Sequence, residues 1–116
     1  MDQQIKFKLI VSIVNEGHCG QVIDASREAG AEGGTIIKGR GSGIHEKAKL
    51  LSLRIEPEKD IVLTLVPETL AEKVLNAILE NAKLNKPGNG IAFIIDIDKT
   101  AGINHAVKPG NEDNEN

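Results

Sequence analysis

Gly33-Gly34-Thr35-Ile36-Ile37-Lys38-Gly39-Arg40-Gly41-Ser42-Gly43 begins as a strand and ends as a loop. Thr35 to Lys38 carries the short apolar run Ile36-Ile37 and is expected to pair in a sheet, continuing into the glycines behind it. There Gly39, Gly41 and Gly43 alternate with Arg40 and Ser42. Backbone N–H groups in such a segment can approach a ligand with no Cβ in the way. An anion such as phosphate suits that geometry, with Arg40 as an always-charged fork. The same glycines also fit a mobile loop in which they only supply turns. Spacing alone leaves both readings open.

Upstream, Lys6 to Val14 is rich in β-branched residues and apolar on both faces, the pattern of a central strand. Asn15-Glu16-Gly17 breaks it. Gly17 to Ala29 reads as a helix with Cys19, Val22, Ile23, Ser26 and Ala29 on one face. Gly30 is placed to end it as the C′ residue.

Downstream, 39–49 reads as an exposed loop, and Leu50 to Ile55 resumes strand-like character. Glu56-Pro57-Glu58-Lys59 is expected to turn, and Asp60 to Val66 to form a buried strand. Pro67 to Leu84 is the clearest helix. Thr69 and Glu72 have capping-box spacing, and Leu70, Val74, Ile78 and Ala82 recur every fourth residue. Asn85 to Gly90 is a second cationic, glycine-rich loop, and Ile91 to Ile97 is the last strand. Asp96 and Asp98 share a side of it, with Lys99 or Arg54 as candidate partners. Residues 1–108 are expected to form one domain, with a mobile loop at 39–55 and a disordered acidic tail at 109–116.

The order β-α-β, β-α-β predicts an α+β, ferredoxin-like split βαβ fold (βαββαβ) with an antiparallel sheet. Two helices cover only one sheet face. Strands apolar on both faces therefore call for a partner on the other, and self-association supplies one.

Composition narrows the function. Aromatic residues are only 2% of the chain, which argues against single-stranded nucleic-acid binding by base stacking. The net charge of −3 is matched by Glu112, Asp113 and Glu115 in the tail, so the body has no basic footprint for nucleic acid. One cysteine, Cys19, suits a reducing cytoplasm. No apolar run approaches the ~20 residues of a membrane helix, and no signal-peptide core is present, so a cytoplasmic location is expected. No nucleophile, acid or base has a supporting partner, so the chain does not read as an enzyme. His18 and Cys19 fall short of the ligands a zinc site needs.

Three stretches carry a family resemblance: Gly33-Gly34-Thr35 with Lys38-Gly39-Arg40-Gly41, the helix Leu70 to Ala82, and Lys86-Pro87-Gly88-Asn89-Gly90 before the last strand. Over about Ile5 to Ile103 the sequence resembles the PII signal-transduction proteins, in particular a divergent PII-like branch. The resemblance implies a homotrimer binding an adenine nucleotide (AMP, ADP, ATP or cyclic AMP) between neighbouring subunits. A mobile loop would then regulate a target protein, such as an enzyme or a membrane transporter. It assigns the base to Gly34 and Thr35, and the base of the mobile loop to Gly39, Arg40 and Gly41. The phosphate cradle falls to Lys86, Gly88, Asn89 and Gly90.

Several family features differ here. Thr35 and Lys38 are two residues closer than the family pattern, and Ile91 replaces the lysine after the second glycine loop. The two C-terminal arginines fall near Gly102 and Asn104, and the chain has no tyrosine to modify. Each charge-assisted hydrogen bond contributes ~1.5–3 kcal/mol, so losing three cations favours an effector with fewer phosphates, or a small anion such as bicarbonate. The competing reading is a structural or metal-binding trimer of the same fold that binds no nucleotide.

Overall fold

Nine residues from Phe7 to Asn15 form the strand on which the sheet is built, flanked on both sides by antiparallel partners. The computed structural model describes residues 5–43, 49–50, 53–54 and 56–103. In chain order these form β1 (Phe7–Asn15), α1 (Cys19–Glu28), β2 (Thr35–Arg40), β3 (Lys49–Leu50), β4 (Leu53–Arg54), β5 (Glu58–Pro67), a 3-10 turn (Glu68–Leu70), α2 (Ala71–Asn81) and β6 (Gly90–Asp96). The main sheet runs β2-β5-β1-β6, and β3 pairs only with β4. Every pairing is antiparallel. This is the expected α+β, ferredoxin-like arrangement.

Alternation along β1 and β5 sends even-numbered residues to the helices and odd-numbered ones to the opposite face. Ile10 and Val14 of β1, with Val62 and Val66 of β5, meet Val22 and Ala25 of α1 and Val74 and Ile78 of α2 in one aliphatic core. Burying each branched side chain contributes roughly 1.5–3 kcal/mol, so the seven branched residues among these carry much of the fold's stability. The small Ala25 and Ser26, both buried, let α1 lie close to the sheet.

On the other face Phe7, Leu9, Val11 and Ile13 stand beside Pro67, Leu65, Leu63 and Ile61. No helix among the described residues covers them. Ile91, Phe93 and Ile95 of β6 extend this apolar surface at 57%, 40% and 42% exposure, and Ile37 of β2 does so on the far side. A contiguous patch of this kind marks an interaction surface.

The helix ends show where local chemistry set the boundaries. Gly30 takes φ +115° just past α1; its N–H bonds Arg27 C=O at 3.0 Å, and Ala31 N–H bonds Ser26 C=O at 2.9 Å. That is the C-terminal motif its glycine predicts. At α2 the expected capping box does not form: Thr69 lies inside the 3-10 turn, and Leu70 precedes α2 without a side-chain cap. Glu68 N–H instead bonds Lys6 C=O at 2.8 Å, tying the turn to the strand beside it.

Two further expectations change. Glu58 and Lys59 belong to β5, not to a turn, because they find strand partners in Arg40, Gly39 and Asn15. Asp96 pairs with Lys8, at 2.7 Å across β1–β6; the Arg54 side chain lies outside the described residues. The expected tail at 109–116 and most of 44–55 lie outside the described residues.

Candidate functional site

Where α1 runs back into β2, the chain leaves a cleft of about 560 Å³ at one end of the open sheet face. Gly33, Gly34 and Thr35 form one wall, and Phe7, Leu9, Leu63 and Leu65 the floor; Ile103 returns to the rim. Gly34 permits this closeness: a Cβ there would meet Leu63 O at 3.3 Å and Val62 Cγ1 at 3.4 Å. Among the described residues, Glu32 is the one charged residue on the lining. The chemistry suits a flat, mostly apolar group with a few hydrogen-bonding edges, held by backbone and by Thr35.

The opposite end of the same face is polar. Lys59 is only 9% exposed, and its ammonium donates to Asn15 Oδ1 at 2.7 Å. Asn15 Nδ2 in turn donates to Gly88 C=O at 3.0 Å. Gly39 stands in register with Lys59 on the β2 side, so the ammonium lies between the two glycine-rich segments. Gly90 is required where it sits: at φ +142° its Cβ would fall 2.4 Å from Ile13 O. Asn89 Nδ2 donates to Lys83 C=O at 3.0 Å, and Asn89 N–H to Lys86 C=O at 3.2 Å, which folds the 83–90 loop back on itself. Lys86 stays exposed on its rim.

Arg40 occupies the other side of the sheet. It pairs in register with Glu58, as Lys38 does with Asp60, and these even-numbered positions share the helix-side face. Arg40 Nη2 lies 3.2 Å from Glu58 Oε2, and Nη1 donates to Glu56 C=O at 3.5 Å. Lys38 Nζ lies 2.5 Å from Asp60 Oδ1. Asp60 is fully buried and also accepts Gly17 N–H at 2.9 Å. The Lys38 bond, helped by Gly17, draws its pKa down to about 2 against the cost of burial. Burial, with Asp60 alongside, pushes the Cys19 thiol up, so Cys19 is not primed as a nucleophile. Glu16 is raised by its hydrogen bond to Glu58.

One chain thus gathers the candidate residues in two groups. Gly34 and Thr35 lie at the apolar cleft. Gly39, Gly41, Lys86, Gly88, Asn89 and Gly90 lie at the polar end, about four strand residues or ~13 Å away. Even there β2 and β6 are the outer strands, three strand spacings or ~14 Å apart. Arg40 points away from both groups. Sequence reasoning missed Lys59 and Asn15, the side chains that bridge the polar end. The sequence signal was weak: Glu58, Lys59 and Asp60 are all charged, so no apolar alternation marks the start of β5, and with Pro57 ahead of them they read as a turn.

Among the described residues no three His, Cys, Asp or Glu side chains come together to hold a metal. Among them, too, no helix is long and apolar enough to cross a membrane.

Residues 7–106 match the protein family described as nitrogen regulatory protein P-II. Among solved structures, the chain is similar to the crystal structure of Arabidopsis thaliana PII bound to citrate. The two are 26% identical, the match covers 81% of this chain and 79% of that one, and the TM-score is 0.62.

Proposed function

The chain belongs to the nitrogen regulatory protein P-II family, and from that premise we propose that it works as a homotrimeric sensor of a small anionic effector, an adenine nucleotide in the first instance. The observation that carries this reading is Lys59, an ammonium only 9% exposed that lies between two glycine-rich segments and donates to Asn15 Oδ1, whose amide donates in turn to Gly88 C=O. A buried cation favours an anionic partner, and a phosphate or carboxylate oxygen is a stronger acceptor than Asn15.

In the proposed complex the base enters the 560 Å³ cleft of one copy against Gly34 and Thr35. The phosphates reach Gly39, Gly41 and Lys59 of the same copy and the Gly88-Asn89-Gly90 backbone of a neighbouring copy, with Lys86 at the rim. Trimer assembly closes the two groups on one ligand and covers Ile91, Phe93 and Ile95. Arg40 joins the ligand only by leaving Glu58. Lys59 restores one cation to a site short of three, so AMP or ADP binds at least as well as ATP. Citrate, carried by the Arabidopsis protein, offers the same carboxylate chemistry to Lys59. Occupancy is read out through the 39–55 segment, which docks on a target protein such as a membrane transporter.

The test is thermal stability with AMP, ADP, ATP, cyclic AMP, bicarbonate, citrate and a divalent metal ion, each in turn. A ligand that binds only the native state stabilises it by about 2.7 kcal/mol at a concentration one hundred times its Kd. A rise with an adenine nucleotide supports the reading and ranks the phosphates. A rise with divalent metal alone would replace it with the metal-binding trimer.

A further inference from the structure

Gly39 and Gly41 leave the open-face side of the loop stem without side chains, while its other side carries three polar rungs in succession. Lys38 meets Asp60 at 2.5 Å, Arg40 meets Glu58 at 3.2 Å, and Ser42 Oγ donates to Glu56 Oε1 at 3.3 Å. Gly41 N–H to Pro57 C=O, at 3.0 Å, carries the backbone ladder one step past β2. The innermost rung is anchored, because buried Asp60 also holds Gly17 N–H at the start of the α1 region. The middle rung is shared: Glu58 faces Arg40 on one side and Glu16 on the other, and Glu16 N–H bonds Glu58 C=O at 3.3 Å.

We propose that these rungs form a lock that holds 38–42 against 56–60 and fixes how the intervening loop leaves the body, with Glu58 as the rung that opens. The lock faces titratable groups from three sides: Lys38 and Arg40 on β2, Glu58 and Asp60 on β5 with Glu56 ahead of it, and Glu16 after β1 with Cys19 at the start of α1. Glu58-Lys59-Asp60 are consecutive, so two lock carboxylates and the ligand-side ammonium sit on opposite faces of one strand. An anion that draws Lys59 away from Asn15 moves the backbone carrying both carboxylates. That regulatory use rests on the effector reading above; the lock itself does not.

The experiment is hydrogen exchange on the full chain without ligand, comparing wild type with Arg40→Gln, Glu58→Gln and the double variant. Each single change is expected to speed exchange of the 38–43 amides about two- to fivefold, the range for a partly exposed ion pair. The double variant is expected to match the singles, because the second change removes a bond already lost. Rates in β1 and α2 should stay as they are. Unchanged stem rates, effects that multiply in the double variant, or acceleration spread over the whole sheet would each overturn the lock. A failed nucleotide assay would leave this result standing.

Discussion

Lys59 and Asn15 are cross-strand partners on the open face of the sheet, ammonium to amide oxygen at 2.7 Å, and Arg40 lies on the face behind them. The cation that the sequence offers most conspicuously is paired with Glu58 on the helix-side face. The cation it hides in a strand is the one that faces both glycine-rich segments.

Lys59→Met keeps most of the side-chain volume and removes the charge. Losing one charge-assisted bond, at ~1.5–3 kcal/mol, should weaken the bound effector about 10- to 100-fold in calorimetry. Assembly, followed by light scattering, should not change. Affinity within twofold of wild type would place the ammonium outside the site.

Asp60 gives the fold an acid limit. In the unfolded chain it takes up a proton near its ordinary 3.8, whereas Lys38, Gly17 and Cys19 hold it ionised until about 2. Unfolding in that window binds a proton, so the stabilisation is full above pH 4 and is lost as pH falls through 2. Glu16, raised by Glu58, works in the opposite sense and offsets part of the loss. Asp60→Asn should cost about 1–3 kcal/mol at neutral pH and flatten the acid limb of a denaturation series. An acid limb as steep as wild type would assign the effect elsewhere.

Two glycines should respond oppositely to alanine. Gly90→Ala forces a Cβ toward Ile13 O at a left-handed φ, and should destabilise the fold by at least about 2 kcal/mol. Gly20, inside α1 with nothing within 4 Å, should gain about 0.5–1 kcal/mol as alanine. Urea midpoints measure both.

Phe93→Asp places a charge in the exposed apolar face without touching the core beneath the helices. The expected outcome is loss of self-association in light scattering with circular dichroism preserved. An unchanged molar mass would show that another surface joins the copies.

Much of this was legible from residue patterns. Gly30 ends α1 as its position predicts, since a glycine at the close of an apolar stripe has few other uses. Leu70, Val74 and Ile78 announced α2, although Thr69 could not cap it: β5 runs straight into a 3-10 turn with no free residue between. The facing of Arg40 was harder to read. Period-two alternation puts Arg40 and Gly39 on opposite sides, but Ile36 and Ile37 are both apolar and equally exposed at 43%, so β2 alone does not say which side meets the helices. Only pairing with β5 settles it, through Lys38 and buried Asp60. The two groups of candidate residues share an end or a face, never a single pocket, and no local pattern encodes a site that one chain leaves divided.

The uncovered side of the sheet has a consequence for how this protein's stability should be quoted. Phe93, Ile95 and Ile91 are exposed on the single chain, so if copies assemble over them, as proposed above, part of the folding free energy becomes a term in concentration. In the proposed trimer, the melting temperature would climb as the protein is concentrated, and dilution would act as a mild denaturant.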